Sequence, residues 1–168
     1  MRKLALLALL VCSIGTVLAL PATADDNKTV NAMVTPKVIS ITVSTTTLQY
    51  GTLSVGSTNN IPTPASVGVT NTGTAPIDIQ VRAANSTPGG WTPANTPGAN
   101  IYRHEIDTSS TSSGGTFDGA LKTTAEDIYN DVLAGQLKSI FFRLDMPTSS
   151  TSLDEQTLPI VITALEAQ

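Results

Sequence analysis

In residues 48–81, LQYGTLSVGSTNNIPTPASVGVTNTGTAPIDIQV, apolar side chains recur at every second position in two runs, and this period constrains the fold more than any other feature. Val67 and Val69 form one set and Ile77, Ile79 and Val81 the other, with Gly68, Thr70, Asp78 and Gln80 between them. Successive side chains of an extended strand point to opposite faces, so each set marks the buried face of a half-buried strand. Between the runs lies NTGTAP, residues 71–76. Asn71 and Gly73 tolerate the left-handed backbone of a tight reversal, and Pro76 fixes φ where the second strand starts. The two runs together predict a hairpin.

Four further stretches alternate in the same way. Residues 37–43 (KVISITV) put Ile39, Ile41 and Val43 on one face, and residues 101–106 do so for Tyr102, His104 and Ile106. In residues 136–146 (QLKSIFFRLDM), Ile140, Phe142, Leu144 and Met146 oppose Leu137, Phe141, Arg143 and Asp145, and Pro147 ends the run. In residues 157–165 (TLPIVITAL), Leu158, Ile160, Ile162 and Ala164 face one way. Pro88, Pro93 and Pro97 with Gly89, Gly90 and Gly98 make residues 84–100 a long loop around Trp91, and a Ser/Gly stretch over residues 109–115 precedes Phe117. Residues 123–133 (TTAEDIYNDVL) suit a short helix, with Thr124 as cap, Asp127 three residues on, and Ile128, Val132 and Leu133 on one side; a single helical turn fits them equally. About seven strands, with no long amphipathic helix and no parallel βαβ rhythm, predict an all-β fold: an antiparallel two-sheet sandwich with at most one short helix.

The chain opens with Arg2 and Lys3, an apolar run over residues 4–20, and Pro21-Ala22-Thr23-Ala24 in the small-x-small form of a cleavage site. These features predict a signal peptide over residues 1–24, an N-terminal extension over 25–36 and a sandwich domain over 37–168. A retained membrane anchor fits less well, because the run is short for a span and ends in a cleavage motif. Cys12 follows Val11 inside the apolar run, not a small residue at its end, so it is not a lipid attachment site. Nor does the run carry the preceding small residue and internal acid of a pilin leader. Removing 24 of 168 residues leaves 144. A single domain of that size buries roughly 70% of its extended surface. The one cysteine leaves with the leader, so the mature chain relies on its core and has no disulfide. Losing Arg2 and Lys3 also takes the net charge from −4 to −6, and no basic cluster remains, which argues against nucleic acid and anionic membranes as partners.

Catalytic chemistry has little to work with. His104 is the single histidine and the mature chain has no thiol, which excludes a cysteine nucleophile and, within one chain, a multi-histidine metal site. A Ser-His-Asp set would have to use His104, which lies in a strand-like run and reads as a surface or edge-strand residue; no G-x-S-x-G occurs. Asp107, Asp118, Glu126, Asp127 and Asp131 are the candidate carboxylates for glycoside hydrolysis or calcium, but they fall in polar connecting stretches where solvated side chains are the default. No D-x-[DN]-x-[DN]-G loop and no cofactor motif is present, so no catalytic residue, metal or cofactor is expected. Trp91, in a Gly-Gly-Trp-Thr-Pro loop, has two readings: a platform for stacking a sugar, or a cover for one end of the core. Asn27 and Asn85 each begin an N-x-T glycosylation sequon. Val30, Ala32 and Val34 alternate at strand spacing in a segment that precedes a domain already supplied with strands, which makes them candidates for donation to a neighbour's sheet edge.

Four motifs carry a family resemblance: Tyr50-Gly-Thr-Leu-x-x-Gly-Ser57, Val67-x-Val-Thr-Asn-Thr-Gly-x-x-Pro-Ile-x-Ile79, Phe141-x-Arg-Leu-x-x-Pro147 and a terminal Val161-Ile-Thr-Ala164. Over most of residues 37–165 the chain resembles the immunoglobulin-like sandwich domains of exported microbial surface proteins. More loosely, it is similar to fibre subunits such as the TasA-like matrix proteins and archaeal bundling pili. These motifs specify fold rather than activity, and with no catalytic constellation visible the chain reads as a non-enzymatic secreted or cell-surface structural protein that self-associates or joins other surface proteins, as a filament subunit built by strand donation. The alternative is a carbohydrate-binding or adhesion module that meets glycans through the loop around Trp91.

Overall fold

The computed structural model describes residues 28, 30–109 and 117–168. The expected signal peptide, Asn27 with its sequon threonine, and residues 110–115 of the Ser/Gly stretch lie outside the described residues. The chain divides into two compact units, residues 1–34 and 35–168. In the first, Lys28 and residues 30–34 are exposed and carry no regular secondary structure.

The second unit contains nine strands and, among the described residues, no helix. They are β1 (Ile41–Val43), β2 (Ser66–Asn71), β3 (Ile77–Ala83), β4 (Thr92–Pro93), β5 (Ile101–Asp107), β6 (Gly119–Ala120), β7 (Glu126–Val132), β8 (Leu137–Asp145) and β9 (Ile160–Glu166). Two of them, β4 and β6, are two residues long. One sheet runs β1-β2-β8-β5-β4, with β6 also on β5, and the other runs β7-β3-β9. The architecture is therefore all-β and sandwich-like, as the alternation predicts. It is not purely antiparallel, since β4 lies parallel to β5 with Thr92 opposite Ile101.

The predicted hairpin at residues 67–81 is not one. β2 pairs with β1 and β8, whereas β3 pairs with β7 and β9, so the chain changes sheets between Asn71 and Ile77. The corner also differs from the left-handed reversal expected of Asn71 and Gly73. Neither is among the positive-φ residues, which include Gly51 and Gly56 at the Tyr-Gly-Thr-Leu corner. Gly73 is required for a different reason: a Cβ there would lie 2.1 Å from the Val38 carbonyl oxygen. Asn71 is fully buried and its amide ties the corner together, donating to the Ala75 and Val132 carbonyls at 2.8 Å each and accepting from Gly73 N–H at 2.9 Å.

The helix expected over residues 123–133 is the edge strand β7. Val132, Tyr129 and Glu126 stand opposite Ile77, Ile79 and Val81, so β7 spends six steps where β3 spends four, with register shifts on either side of Ile79. The extra residues break the two-residue alternation and bring apolar positions to the three- and four-residue spacing that imitates a helix face. The 37–43 run is also shorter than expected, being a strand only from Ile41, while Val38 and Ile39 are exposed. Their backbone is still engaged, because Thr74 N–H donates to Val38 O at 2.9 Å and Thr72 N–H to Ser40 O at 2.9 Å.

Between the sheets, Val67, Val69, Ile77, Ile79, Val81, Ile140 and Phe142 belong to one buried cluster, against which Ile128, Tyr129, Ile160 and Ile162 pack. A second cluster at one end unites Trp91, Tyr102, Leu144 and Met146, with Tyr50, Leu53 and Leu158 against it.

Candidate functional site

The sandwich is left open along one side. A cleft of about 1090 Å³ has residues 45–55 as one wall and residues 152–160 as the other, with Val67, His104, Phe142 and Leu144 beneath. Residues 45–55 and 152–156 show no strand alternation, and nothing in their composition announced a cavity. Ile160 and Ile162 of β9 also line it, and both are only half-buried. On its other side β9 pairs with β3, Ile162 opposite Val81 and Ile160 opposite Ala83. Among the described residues no strand covers the outer edge of β9, so its outward N–H and C=O groups remain a template for pairing.

His104, expected at the surface or on an edge strand, lies instead in β5 between β8 and the short β4 and β6, and is fully buried. Its Nε2 and the Tyr50 hydroxyl are 2.7 Å apart, while its Nδ1 is buried with no hydrogen-bond partner. The rings of Tyr50, Phe142 and Tyr102 surround it at centroid distances of 5.7, 5.5 and 6.4 Å. Removal from water disfavours the imidazolium and lowers the pKa to about 4, so the ring is neutral at neutral pH. The same burial pushes the Tyr50 and Tyr102 hydroxyls well above the phenol range. With Tyr50 as the ring's partner, no carboxylate orients it as a general base would require. The alternation had placed Tyr102, His104 and Ile106 on one face correctly; the polarity of imidazole misdirected the choice of which face is buried.

The carboxylates separate into exposed and buried groups. On β7, Glu126, Asp127 and Asp131 are exposed, with Glu126 meeting Lys122 at 2.5 Å and Asp127 accepting from Gln80 at 2.9 Å. Asp118 is exposed as well, but Asp107, expected in a solvated connection, is completely buried at the end of β5. Sequence reasoning overlooked Glu105 and Asp145, which are also buried. Asp145 receives Arg103 through Nε at 2.8 Å and through Nη2, and accepts Asn59 N–H at 2.6 Å. Glu105 receives Arg143 Nε at 2.7 Å, and the Arg143 guanidinium lies 4.1 Å from the Phe117 ring centroid. These are matched ion pairs with their hydrogen bonds satisfied. Among the described residues no three His, Asp or Glu side chains converge to hold a metal ion.

Trp91 is buried at the end of the core, with its indole N–H donated to Ser150 Oγ at 2.9 Å and its backbone N–H to Ser86 Oγ at 2.7 Å. Asn85 is exposed, whereas Asn27 lies outside the described residues. Val30 and Val34 are 88% and 92% exposed, and Ala32 between them is exposed too. Compared with known proteins, the chain matches no family model, no curated protein and no solved structure.

Proposed function

We propose that this chain is a non-enzymatic, secreted structural protein with an immunoglobulin-like sandwich, whose copies assemble into a surface filament by strand donation. The observation that carries this reading is the uncovered edge of β9 bordering a cleft whose floor includes Val67, Phe142 and Leu144 and whose walls mix apolar with polar side chains. An extended segment added there would pair its backbone with β9 and place every second side chain in the cleft. Val30, Ala32 and Val34 have that spacing and are exposed. At about 3.3 Å per residue, residues 30–34 extend roughly 16 Å and lie within the span of the seven-residue β9. Donation from one copy to the next is head-to-tail and does not close, so it propagates as a fibre. An enzymatic reading is weakened by His104, whose ring is neutral, buried and without a carboxylate partner. The glycan-binding reading is weakened by Trp91, whose ring is buried and whose indole N–H is already bonded.

The test is polymerisation of the mature chain, followed by light scattering and electron microscopy. Filaments are expected from the full mature chain and not after deletion of residues 25–35, and a peptide of residues 28–36 added in excess is expected to stop growth. Equal polymerisation with and without the segment, or none from either, removes strand donation by it.

A further inference from the structure

Asp107 ends β5 with its carboxylate out of water, and the two oxygens are treated differently. Oδ1 accepts the Ser109 N–H at 2.7 Å and the Ser109 hydroxyl at 2.6 Å. Oδ2 is buried and, among the described residues, has no hydrogen-bond partner. A buried carboxylate oxygen without a donor retains the full cost of leaving water, and either a proton or a cation can relieve it.

A second carboxylate is held close by. Asp118 N–H donates to Ile106 O at 2.8 Å, which brings the backbone on the two sides of the 108–117 connection together. One oxygen of Asp118, Oδ2, accepts both the Thr108 N–H at 2.8 Å and the Thr108 hydroxyl at 2.7 Å. From the other sheet, the Tyr129 hydroxyl reaches the Ser139 carbonyl at 2.5 Å and the Thr108 carbonyl at 3.2 Å. Burial raises the pKa of that phenol, and the charges of Asp118 and Asp107 raise it further, so both carboxylates act on this one hydroxyl. The nearby cation is Lys138, whose ammonium sits 5.3 Å from the Tyr129 ring centroid; among the described residues it makes no bond to either carboxylate.

We propose that Asp107 Oδ2 and the Asp118 carboxylate, with oxygens of Thr108 and Ser109 beside them, form a Ca²⁺ site between the end of β5 and the start of β6. The two side chains offer carboxylate oxygens, which suit a hard cation and disfavour zinc or copper. Asp107 ends β5 and Asp118 immediately precedes β6, an irregular pair of positions that fits the tolerant coordination of Ca²⁺ better than the near-ideal octahedron of Mg²⁺. Two carboxylates are few for a calcium site, so the affinity belongs with the weak sites of extracellular modules, about 10⁻⁴–10⁻³ M.

The full mature chain, freed of divalent ions with EGTA, is melted in CaCl₂ and in MgCl₂ at matched ionic strength. A saturable rise in Tm that CaCl₂ produces and MgCl₂ does not is expected. It should be lost in Asp107→Asn and strongly reduced in Asp118→Asn, an exposed position whose substitution leaves the core untouched. Tb³⁺ serves as a second probe: tyrosine-excited emission should be displaced by Ca²⁺, and Tyr129→Phe should dim it while keeping the Ca²⁺-dependent rise in Tm. No shift with CaCl₂, an equal shift with MgCl₂, or a shift preserved in Asp118→Asn would each overturn the site. Should Asp107→Asn fail to fold, the Asp118→Asn and Tb³⁺ results decide.

Discussion

Replacing Asn71 isolates the corner at which the chain crosses from one sheet to the other. Its side chain makes three hydrogen bonds, two donated to Ala75 O and Val132 O and one accepted from Gly73 N–H, all out of water. A net hydrogen bond is worth about 0.5–1.5 kcal/mol, and a buried group stripped of its partner costs about 1–3 kcal/mol. Asn71→Ala strips partners from two carbonyls and an N–H and leaves a void, so a loss of about 3–5 kcal/mol is expected, a large share of the 5–15 kcal/mol typical of a domain. Asn71→Asp keeps the shape and the acceptor for Gly73, but turns a carboxyl oxygen toward two carbonyl oxygens. Burial and those carbonyls raise the introduced group's folded pKa above its unfolded value of about 3.9. The native state then holds the extra proton, so the variant is least impaired below about pH 4 and loses stability as pH rises through the raised pKa. Urea denaturation of both variants and the parent at pH 4 and pH 7 reads this directly. A loss under about 1 kcal/mol for Asn71→Ala, or an Asn71→Asp penalty that does not shrink at low pH, refutes the account.

Ile79 and Phe142 belong to opposite sheets but one core, and truncating either to Ala should cost about 2–5 kcal/mol by urea denaturation. Retention of nearly full stability by both would contradict their packing. His104, with its pKa lowered to about 4 against an ordinary 6.5, binds its proton more readily when the chain is unfolded. Its contribution is therefore complete above pH 6.5 and is lost as pH falls toward 4, amounting to about 3 kcal/mol across that window. His104→Gln should flatten this part of the stability profile, and a slope identical to the parent's would show that other groups cause it.

Alternation along the chain revealed the buried faces of β2, β3 and β8 because each strand keeps the two-residue period where it crosses the core. Alternation does not state which strand lies alongside which, and a five-residue connection serves a hairpin or a sheet change equally well. That is why the Asn71 corner was misread. β7 was hidden by its register shifts, and His104 by the assumption that an imidazole belongs near water. The cleft was not legible at all. Apart from Leu158, Ile160 and Ile162, its walls are irregular segments brought together by the strands on either side, and those segments carry no shared pattern. Of the candidate site residues, Asp107 was visible by type, but its buried, unpartnered oxygen depends on the Ser109 turn and could not be read from composition.

The ion pairs on β5 and β8 have a consequence for how the sheet finds its alignment. Arg103 stands opposite Asp145 and Glu105 opposite Arg143. Sliding one strand by two residues would preserve the inward apolar faces, so hydrophobic contact alone discriminates poorly against it. Slipped one way, Arg103 would meet Arg143; slipped the other way, Glu105 would meet Asp145. Each misalignment sets like charges against one another, in positions where three of the four carboxylate and guanidinium groups have little access to solvent. The four residues thus act as a key for the central pairing: the native alignment joins two attractive pairs, whereas one slip sets Arg103 against Arg143 and the other sets Glu105 against Asp145 with only Asp107 against Arg143 to offset it.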